Sequence, residues 1–188
     1  MARLPLFPTL VVAAAVAVMI GLGFWQLDRR AQKNAALDRY AAAQGLMPIA
    51  WPTRFDPAHP PLFRRSKVDC SRVLGWRQAS GRNVKGDAGW LHIATCETPQ
   101  GAANIAAGWS ARPSQPAWGG GIVVGVIGPD SERTIRLIAD RPPAGLQRAR
   151  APSLDDVPNN HLAYAVQWFF FALVAAVIYF LALKRRSR

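Results

Sequence analysis

Residues 4–27 read LPLFPTLVVAAAVAVMIGLGFWQL and contain no Asp, Glu, Lys, Arg or His. A second run without those residue types covers 162–183. A helix needs about 20 apolar residues to cross the hydrocarbon core of a bilayer, and both runs exceed that length. Because lipid offers the backbone no hydrogen-bond partners, each run is expected to be a helix. The sequence therefore predicts transmembrane helices at 4–27 and 162–183, a domain at 28–161 between them, and a basic tail at 184–188.

A cleaved signal peptide is the alternative interpretation of the first run. Its apolar stretch is longer than the roughly 7–15 residues of a signal-peptide core, and no small-residue cleavage site follows residues 23–27. Arg29-Arg30 comes after the apolar run, whereas a twin-arginine export signal comes before it. No Arg-rich and Ser-rich leader precedes the run, which disfavours a mitochondrial precursor. We therefore expect a retained anchor in a bacterial inner membrane.

The charges beside the two runs disagree about orientation. A dense basic cluster at 184–188 follows the second run and places the C-terminus in the cytoplasm by the positive-inside rule. The first run points the other way, with Arg3 before it and Arg29, Arg30 and Lys33 after it. Two spans put both termini on one side, and long loops translocate largely regardless of charge. We expect both termini in the cytoplasm and the central domain in the periplasm.

The formal net charge of +12 raises nucleic acid as a possible partner. All 11 acidic residues lie within 28–161, and the basic residues of that region are scattered along it. A periplasmic domain also meets no genomic DNA. We therefore predict no nucleic-acid binding, and expect the positive charge to meet anionic lipid headgroups or an acidic partner surface.

The two cysteines, Cys70 and Cys96, both lie in the central domain. In an oxidising compartment such a pair indicates a structural disulfide. The bridge would close a loop of about 25 residues, which is worth on the order of 3 kcal/mol in the chain-entropy model. A copper or redox site that includes His92 is the alternative, although the pair lacks Cys-x-x-Cys spacing.

The central domain has the pattern of a small β structure. Residues 29–39 continue the first helix with good helix formers, and helical periodicity is lost from Leu46 onward. Period-two alternation places Trp90, His92, Ala94 and Cys96 on one strand face. Short strands with turn signals between them predict an antiparallel sheet or partial barrel of about five strands. The predicted strands are 65–76, 89–96, 103–109, 121–127 and 134–139, with turns at 99–101 and 128–130. The predicted fold class is therefore membrane α+β.

Motifs for catalysis are missing from the sequence. It contains no Ser-His-Asp arrangement with a nucleophile elbow, no Walker loop and no zinc-ligand spacing. The glycines at 119–121 precede a predicted strand, whereas a dinucleotide fingerprint opens a helix. Asp155-Asp156 is expected to lead into the second helix. We predict that the protein is not an enzyme.

His161 lies where the second run enters the membrane, and helical spacing places Tyr164 and Trp168 on the same face. An ionisable side chain at this depth indicates function, and imidazole is a usual axial ligand of haem iron. An interfacial aromatic belt is the alternative, and it accounts for Tyr164 and Trp168 without any ligand. The residues alone leave haem binding and membrane anchoring both open.

A row of small residues recurs every four positions on the first run. It consists of Ala13, Ala17 and Gly21, and Trp25 continues it. Small residues at this spacing let two helix backbones approach closely. The pattern predicts that the row faces the second helix and that Trp25 lies near His161 in a shallow pocket.

Three segments carry a resemblance to a known family. They are LGFWQLDRR at 22–30 followed by Lys33, NHLAYAVQWF at 160–169, and Gly108-Trp109. In the order, spacing and topology of these segments, the chain resembles the Surfeit locus protein 1 family over nearly its whole length.

The resemblance implies a non-catalytic factor in the assembly of haem-copper terminal oxidases. Such a factor would handle haem a transiently for subunit I of cytochrome c oxidase. The implied partners are that subunit and the haem a synthesis machinery, together with membrane lipids.

The resemblance also implies roles for individual residues. His161 becomes the candidate metal ligand, with Trp25, Arg29, Tyr164 and Trp168 as further candidate haem-binding residues. Ala107 stands where the family usually has an arginine before Gly-Trp, so this chain lacks any contribution of that arginine to a haem propionate. The competing function is a membrane-tethered scaffold or sensing module without haem, although a sensor normally continues into a cytoplasmic output segment.

Overall fold

The computed structural model describes residues 5–131 and 134–186, so Arg3, Leu4 and the last two residues of the basic tail lie outside the described residues. The chain divides into two compact units, one formed by the residues up to Leu37 together with those from Val157, the other by Asp38–Asp156. The elements, in chain order, are α1 Leu6–Gln44, β1 Ile49–Ala50, β2 Arg65–Cys70, β3 Arg72–Arg82, β4 Ala88–Thr98, β5 Gly101–Ser110, β6 Gly121–Pro129, β7 Ile135–Ala139 and α2 His161–Arg186.

Both apolar runs are helical, as predicted, and both helices are long and apolar enough to cross a membrane. Helix α1 has 39 residues and α2 has 26. At 1.5 Å per residue α1 is about 58 Å long, roughly twice the thickness of a hydrocarbon core. The predicted continuation through Arg39 is therefore present, and the helix ends only at Gln44. Two such helices flanking a sheet confirm the membrane α+β class.

The two helices pack tightly against each other at Gly23. A Cβ atom on Gly23 would lie 2.5 Å from the Phe169 ring, so only glycine leaves room for that ring. Phe169 also packs edge-on against Phe24, with ring centroids 5.3 Å apart. Towards the other end of the pair, the hydroxyls of Thr9 and Tyr179 are 2.6 Å apart. Aromatic packing and a polar contact thus join the helices along much of their apolar length.

The predicted small-residue row does not form this contact. Ala13, Ala17 and Gly21 are all exposed, and a Cβ on Gly21 would meet nothing within 4 Å. Less exposed positions of α1 instead follow the alternating three- and four-residue spacing of a helix–helix seam. They include Thr9, Val12, Val16, Met19, Gly23 and Gln26, and Leu22 and Leu27 beside them are also half-buried. The prediction that the small-residue row faces the second helix was therefore wrong. The second helix packs closely at Gly23, and larger side chains fill the rest of the seam.

The second unit is built around one sheet of seven strands, in the order β1-β2-β6-β7-β5-β4-β3. The predicted hairpin is confirmed as β4 and β5, which pair from Trp90–Ser110 to Thr98–Gly101. Gly101 adopts φ 125°, a conformation that glycine reaches without strain. Most pairs are antiparallel, but β1–β2 and β5–β7 are parallel.

The structure has two strands more than the five predicted, because β1 was not predicted and one predicted strand is two. The stretch 65–76, predicted as one strand, breaks at Ser71 into β2 and the start of β3. Both the amide and the hydroxyl of Ser71 donate to the Glu97 carbonyl, which turns the chain there. The turn predicted at 128–130 lies further on, because β6 runs through Pro129 and the Asp130 amide donates to the Thr134 carbonyl. Asp155-Asp156, which was predicted to lead into the second helix, lies in a short 3-10 turn, Leu154–Asp156.

Both faces of the sheet are covered near its middle. Ala94, Cys96 and Ile105 belong to one buried cluster, whereas Ile93 and Ala106 belong to a second one on the other face. A bulge leaves Ala107 unpaired between the partners of His92 and Ile93. Because the extra residue shifts the alternation by one, Trp109 joins Ala106 on the second face although the two are three residues apart.

A disulfide joins Cys70 on β2 to Cys96 on β4. These strands are not neighbours in the sheet, since β6, β7 and β5 lie between them in strand order. Their Cα atoms are nevertheless 5.3 Å apart, so the sheet curls until β2 and β4 meet. Both cysteines are fully buried in the first cluster. The sheet is thus an open, strongly curled one that a covalent bond closes at one end, in keeping with the predicted partial barrel.

Replacement of Gly23 by alanine tests the helix contact, and Gly21→Ala is the matched control. The new methyl group at residue 23 collides with the Phe169 ring, which we expect to lower the free energy of unfolding in detergent by about 1–3 kcal/mol relative to the control variant. Both variants carry the same change in helix propensity, so their difference isolates the packing term. Equal stability of the two variants in an SDS titration would contradict the contact.

Candidate functional site

His161 is the first residue of α2, and its side chain hydrogen-bonds to Gln26 of α1. The imidazole Nδ1 lies 2.7 Å from the Gln26 Oε1 atom. A carbonyl oxygen can only accept, so Nδ1 carries the proton and donates it. The contact links two residues 135 positions apart in sequence, and it fixes both the ring orientation and the tautomer of His161.

This hydrogen bond leaves the other ring nitrogen of His161 available. In a neutral imidazole protonated at Nδ1, the Nε2 atom bears the lone pair. Among the described residues, no hydrogen bond to Nε2 is present. Metal-bound histidines are commonly oriented in this way, with the non-ligating nitrogen donating to a carbonyl or carboxylate. The arrangement therefore suits ligation of a single metal ion through Nε2.

A second amide contact lies beside the first. The Asn159 side chain donates from Nδ2 to the Asn34 Oδ1 atom at 2.7 Å. Asn34 follows Gln26 by about two helical turns, and Asn159 precedes His161 by two residues. The two hydrogen bonds together fix the register of α2 against α1. No chemical role was predicted for Gln26 or Asn34, and the one available signal was the polar Gln26 near the end of the first apolar run.

Three of the other predicted site residues, Trp25, Arg29 and Tyr164, are exposed, whereas Trp168 is half-buried as His161 is. Trp25 and Tyr164 are 53% and 51% exposed, and Trp168 packs edge-on against Phe171 with ring centroids 6.4 Å apart. Arg29 donates to the Gln32 Oε1 atom at 2.6 Å and is also exposed. The residue that the structure brings to His161 is Gln26. Cofactor contacts of the other four residues stay predictions.

The copper alternative at His92 depends on free thiolates. Both cysteines form the disulfide, so neither supplies one. His92 is 1% exposed, and its Nε2 atom is 2.7 Å from the Ser110 hydroxyl oxygen. Within 5–131 and 134–186, no group of three or more His, Cys, Asp or Glu side chains could hold a metal ion. His92 is therefore placed as a core residue of the sheet.

A buried ion cluster surrounds Asp130, whose side chain is 1% exposed. Its carboxylate pairs with Arg77 and Arg136, and it also accepts from Asn104 Nδ2 at 3.1 Å. Burial lowers the pKa of Arg136, and the Asp130 charge opposes that shift. One carboxylate thus serves two guanidinium groups, which leaves excess positive charge in this part of the domain.

Ala107, which replaces the arginine implied by the resemblance, is the bulged residue of β5 and is 2% exposed. A charged side chain at a position with this exposure needs a paired partner, because burial of an unpaired charge is costly. Alanine is compatible with the packing seen here.

The chain matches one known protein family over most of its length. The model of the family described as SURF1 matches residues 13–173. The match includes Gln26, the entire sheet and His161, and it ends within α2. A comparison with curated proteins gives no match.

The burial of His92 gives a testable pH dependence. Burial lowers the pKa of His92, and the Ser114 backbone offsets the shift only in part. Below about pH 6.5 the unfolded chain therefore binds a proton that the folded domain resists. We expect the free energy of unfolding to be constant with respect to this group above that pH and to fall as the pH is lowered towards 5.

Denaturant titrations at pH 8, 6 and 5, followed by tryptophan fluorescence, measure this effect. His92→Gln should flatten the slope of stability against pH, whatever its effect on stability itself. His59→Gln, at an exposed histidine paired with Asp56, should keep the wild-type slope. A His92→Gln protein with an unchanged slope would contradict the assignment.

Proposed function

We propose that this chain, which belongs to the SURF1 family, handles haem a during the assembly of a haem-copper oxidase. The family is known for cytochrome oxidase assembly and is a family of assembly factors, not of catalysts. In this function the protein would bind haem a and pass it to subunit I of cytochrome c oxidase without chemical turnover. Its partners would be that subunit and the haem a synthesis machinery.

The observation that carries this proposal is the hydrogen bond between His161 and Gln26. Haem iron commonly takes an axial imidazole ligand, and the Gln26 Oε1 atom holds the His161 ring in the tautomer that leaves Nε2 free. A single histidine suffices for an axial ligand, so the lack of a larger metal-binding group among the described residues does not conflict with it. The single imidazole nitrogen of His161 is therefore compatible with axial ligation of haem a.

Other residues near this level of the helices have the chemistry that a porphyrin needs. Trp25 and Tyr164 present exposed aromatic surface, which suits the apolar macrocycle. Arg29 has an exposed guanidinium group, which could pair with a propionate through charge-assisted hydrogen bonds. We assign these three residues, with Trp168, to the same haem site as His161.

A scaffold without haem is the second candidate, and one specific observation favours it. The Asn34–Asn159 hydrogen bond repeats the Gln26–His161 contact beside it and has no evident role in ligation. Both contacts would then simply fix the two helices in register. The two functions differ in the role of the His161 Nε2 atom. Haem handling requires it as an iron ligand, whereas a scaffold does not.

Replacement of His161 by alanine tests the haem site. The change removes the ligand and one hydrogen bond, so we expect a protein that still inserts but loses its haem or shows an altered absorption spectrum. Gln26→Leu retains the imidazole and removes only its orienting acceptor. We expect it to weaken haem binding by about 10–100-fold, the usual effect of losing such a partner. Absorption spectra and haem content of protein purified from cells that make haem a provide the measurement.

Asn34→Leu is the matched control, because it removes the neighbouring amide contact and leaves His161 untouched. It should keep the wild-type haem content. If wild-type protein from such cells carries no haem, the scaffold function replaces the proposed one. If wild type and His161→Ala bind haem with the same spectrum, the ligand assignment is wrong.

We further propose that both termini lie in the cytoplasm of a bacterium and that the sheet lies in the periplasm. This orientation is supported by the basic cluster after α2 and by the disulfide, which is typical of an oxidising compartment. Fusions after Arg188 should be active with a cytoplasmic reporter alone, and fusions near Gly120 with a periplasmic reporter alone. The reverse pattern would show that Arg29, Arg30 and Lys33 determine the topology.

A further inference from the structure

The sheet domain contains a cavity of about 300 Å³ that none of the proposed haem residues lines. Its apolar side is formed by Leu91, Ala106 and Ile138, on the face of the second buried cluster. Residues 149–152 contribute a further part of the wall. The volume lies at the lower end of the range of small-molecule sites, roughly 300–1,000 Å³.

Among the described residues, three arginines and one carboxylate line the same cavity. The arginines are Arg82, Arg136 and Arg150, and the carboxylate is Asp156. Arg150 pairs with Asp156 at 3.4 Å. Arg82 donates to the Gly86 carbonyl at 2.6 Å and forms no ion pair among the described contacts. The cavity wall therefore carries more positive than negative charge.

Arg136 shares its ion-pair partner with a second arginine. Among the described residues its carboxylate partner is Asp130, which also pairs with Arg77, and the Arg136 Nη1–Asp130 Oδ1 distance is a long 3.5 Å. Burial lowers the pKa of Arg136, and the Asp130 charge opposes that shift. The charge of Arg136 is therefore only partly compensated by the described residues.

We propose that this cavity binds a small amphiphilic anion, with a carboxylate or phosphate head against the arginines and an apolar part against Leu91, Ala106 and Ile138. Guanidinium groups match the planar geometry of carboxylates and the oxygens of phosphates through paired N–H donors. The anionic head pairs with the arginine side chains of the wall, and the apolar side excludes a fully hydrated ion. This proposal goes beyond the function in haem handling and does not depend on it.

Other classes of ligand fit the cavity less well. A neutral apolar molecule would remove water from the three guanidinium groups without replacing their hydrogen bonds, which is unfavourable. A metal cation would meet an excess of positive charge. A nucleotide would bring a polar sugar and the polar edge of a base against the apolar side.

Calorimetric titration of the full-length protein in phosphatidylcholine nanodiscs tests the proposal, with octanoate and octyl phosphate as probes. Octan-1-ol and inorganic phosphate serve as probes that each lack one half of the proposed ligand. We expect both amphiphiles to bind and each half-probe to bind at least tenfold more weakly. Binding of octan-1-ol as tight as that of octanoate would overturn the role of the arginines, and equal binding of inorganic phosphate would reduce the site to an adventitious ion only.

Variants at the rim avoid the buried Arg136–Asp130 pair. Arg82→Gln and Arg150→Gln should each weaken octanoate binding about tenfold, the loss expected for a charge-assisted hydrogen bond. Ala151→Trp keeps every charge and fills the mouth of the cavity, so it should abolish binding. Arg148→Gln is the matched control, since Arg148 pairs with Asp140 and does not line the cavity. Unchanged binding in all three rim variants would overturn the proposal.

Addition of phosphatidylglycerol to the nanodiscs separates two sources of the anion. If the natural ligand is a membrane lipid, the anionic lipid should compete with octanoate and reduce its apparent affinity, whereas phosphatidylcholine alone should not. If the ligand is a free amphiphile, the affinity for octanoate should be unchanged. Either result supports the site and identifies the source of its ligand.

Discussion

The lack of hydrogen-bond partners in a hydrocarbon core is the constraint on which the rest of this structure depends. It makes both apolar runs helical, and it makes any polar side chain along their contact require a partner. Thr9 meets Tyr179 by that rule, and Gln26 meets His161. The second pair has a consequence that the first lacks, because an imidazole satisfied at one nitrogen still has a reactive lone pair at the other.

The sheet domain satisfies its own polar groups by different means. Its buried carboxylate, Asp130, is paired in an ion cluster, and further arginines line a cavity. Its two buried faces depend on a bulge at Ala107 to bring Trp109 beside Ala106. An apolar core alone requires no arginines beside it. Arginines line this cavity next to apolar side chains, and this combination indicates a ligand.

Local patterns predicted the helices and the β4–β5 hairpin, because their causes lie within the segments themselves. An apolar run of sufficient length specifies a span, and Gly101 after a strand specifies a tight turn. The predictions were wrong where residues distant in sequence determine the local structure. The break at Ser71 is caused by hydrogen bonds to Glu97, and the seam of α1 is set by Phe169, which periodicity within α1 cannot reveal. The arginines of the cavity come from β3, β7 and residue 150, so their charges looked scattered along the chain.

Strand β7 is the last strand in sequence, yet it lies between β6 and β5 inside the sheet. A chain that emerges from its N-terminus towards its C-terminus therefore presents β5 and β6 with unpaired edges until residue 139 has followed. Exposed strand edges of this kind are where chains associate wrongly, and a parallel partner far along the sequence pairs slowly. Pairing of β7 must consequently outpace self-association of the half-built sheet, so that the speed of folding, and not stability alone, governs how much correctly folded protein is obtained.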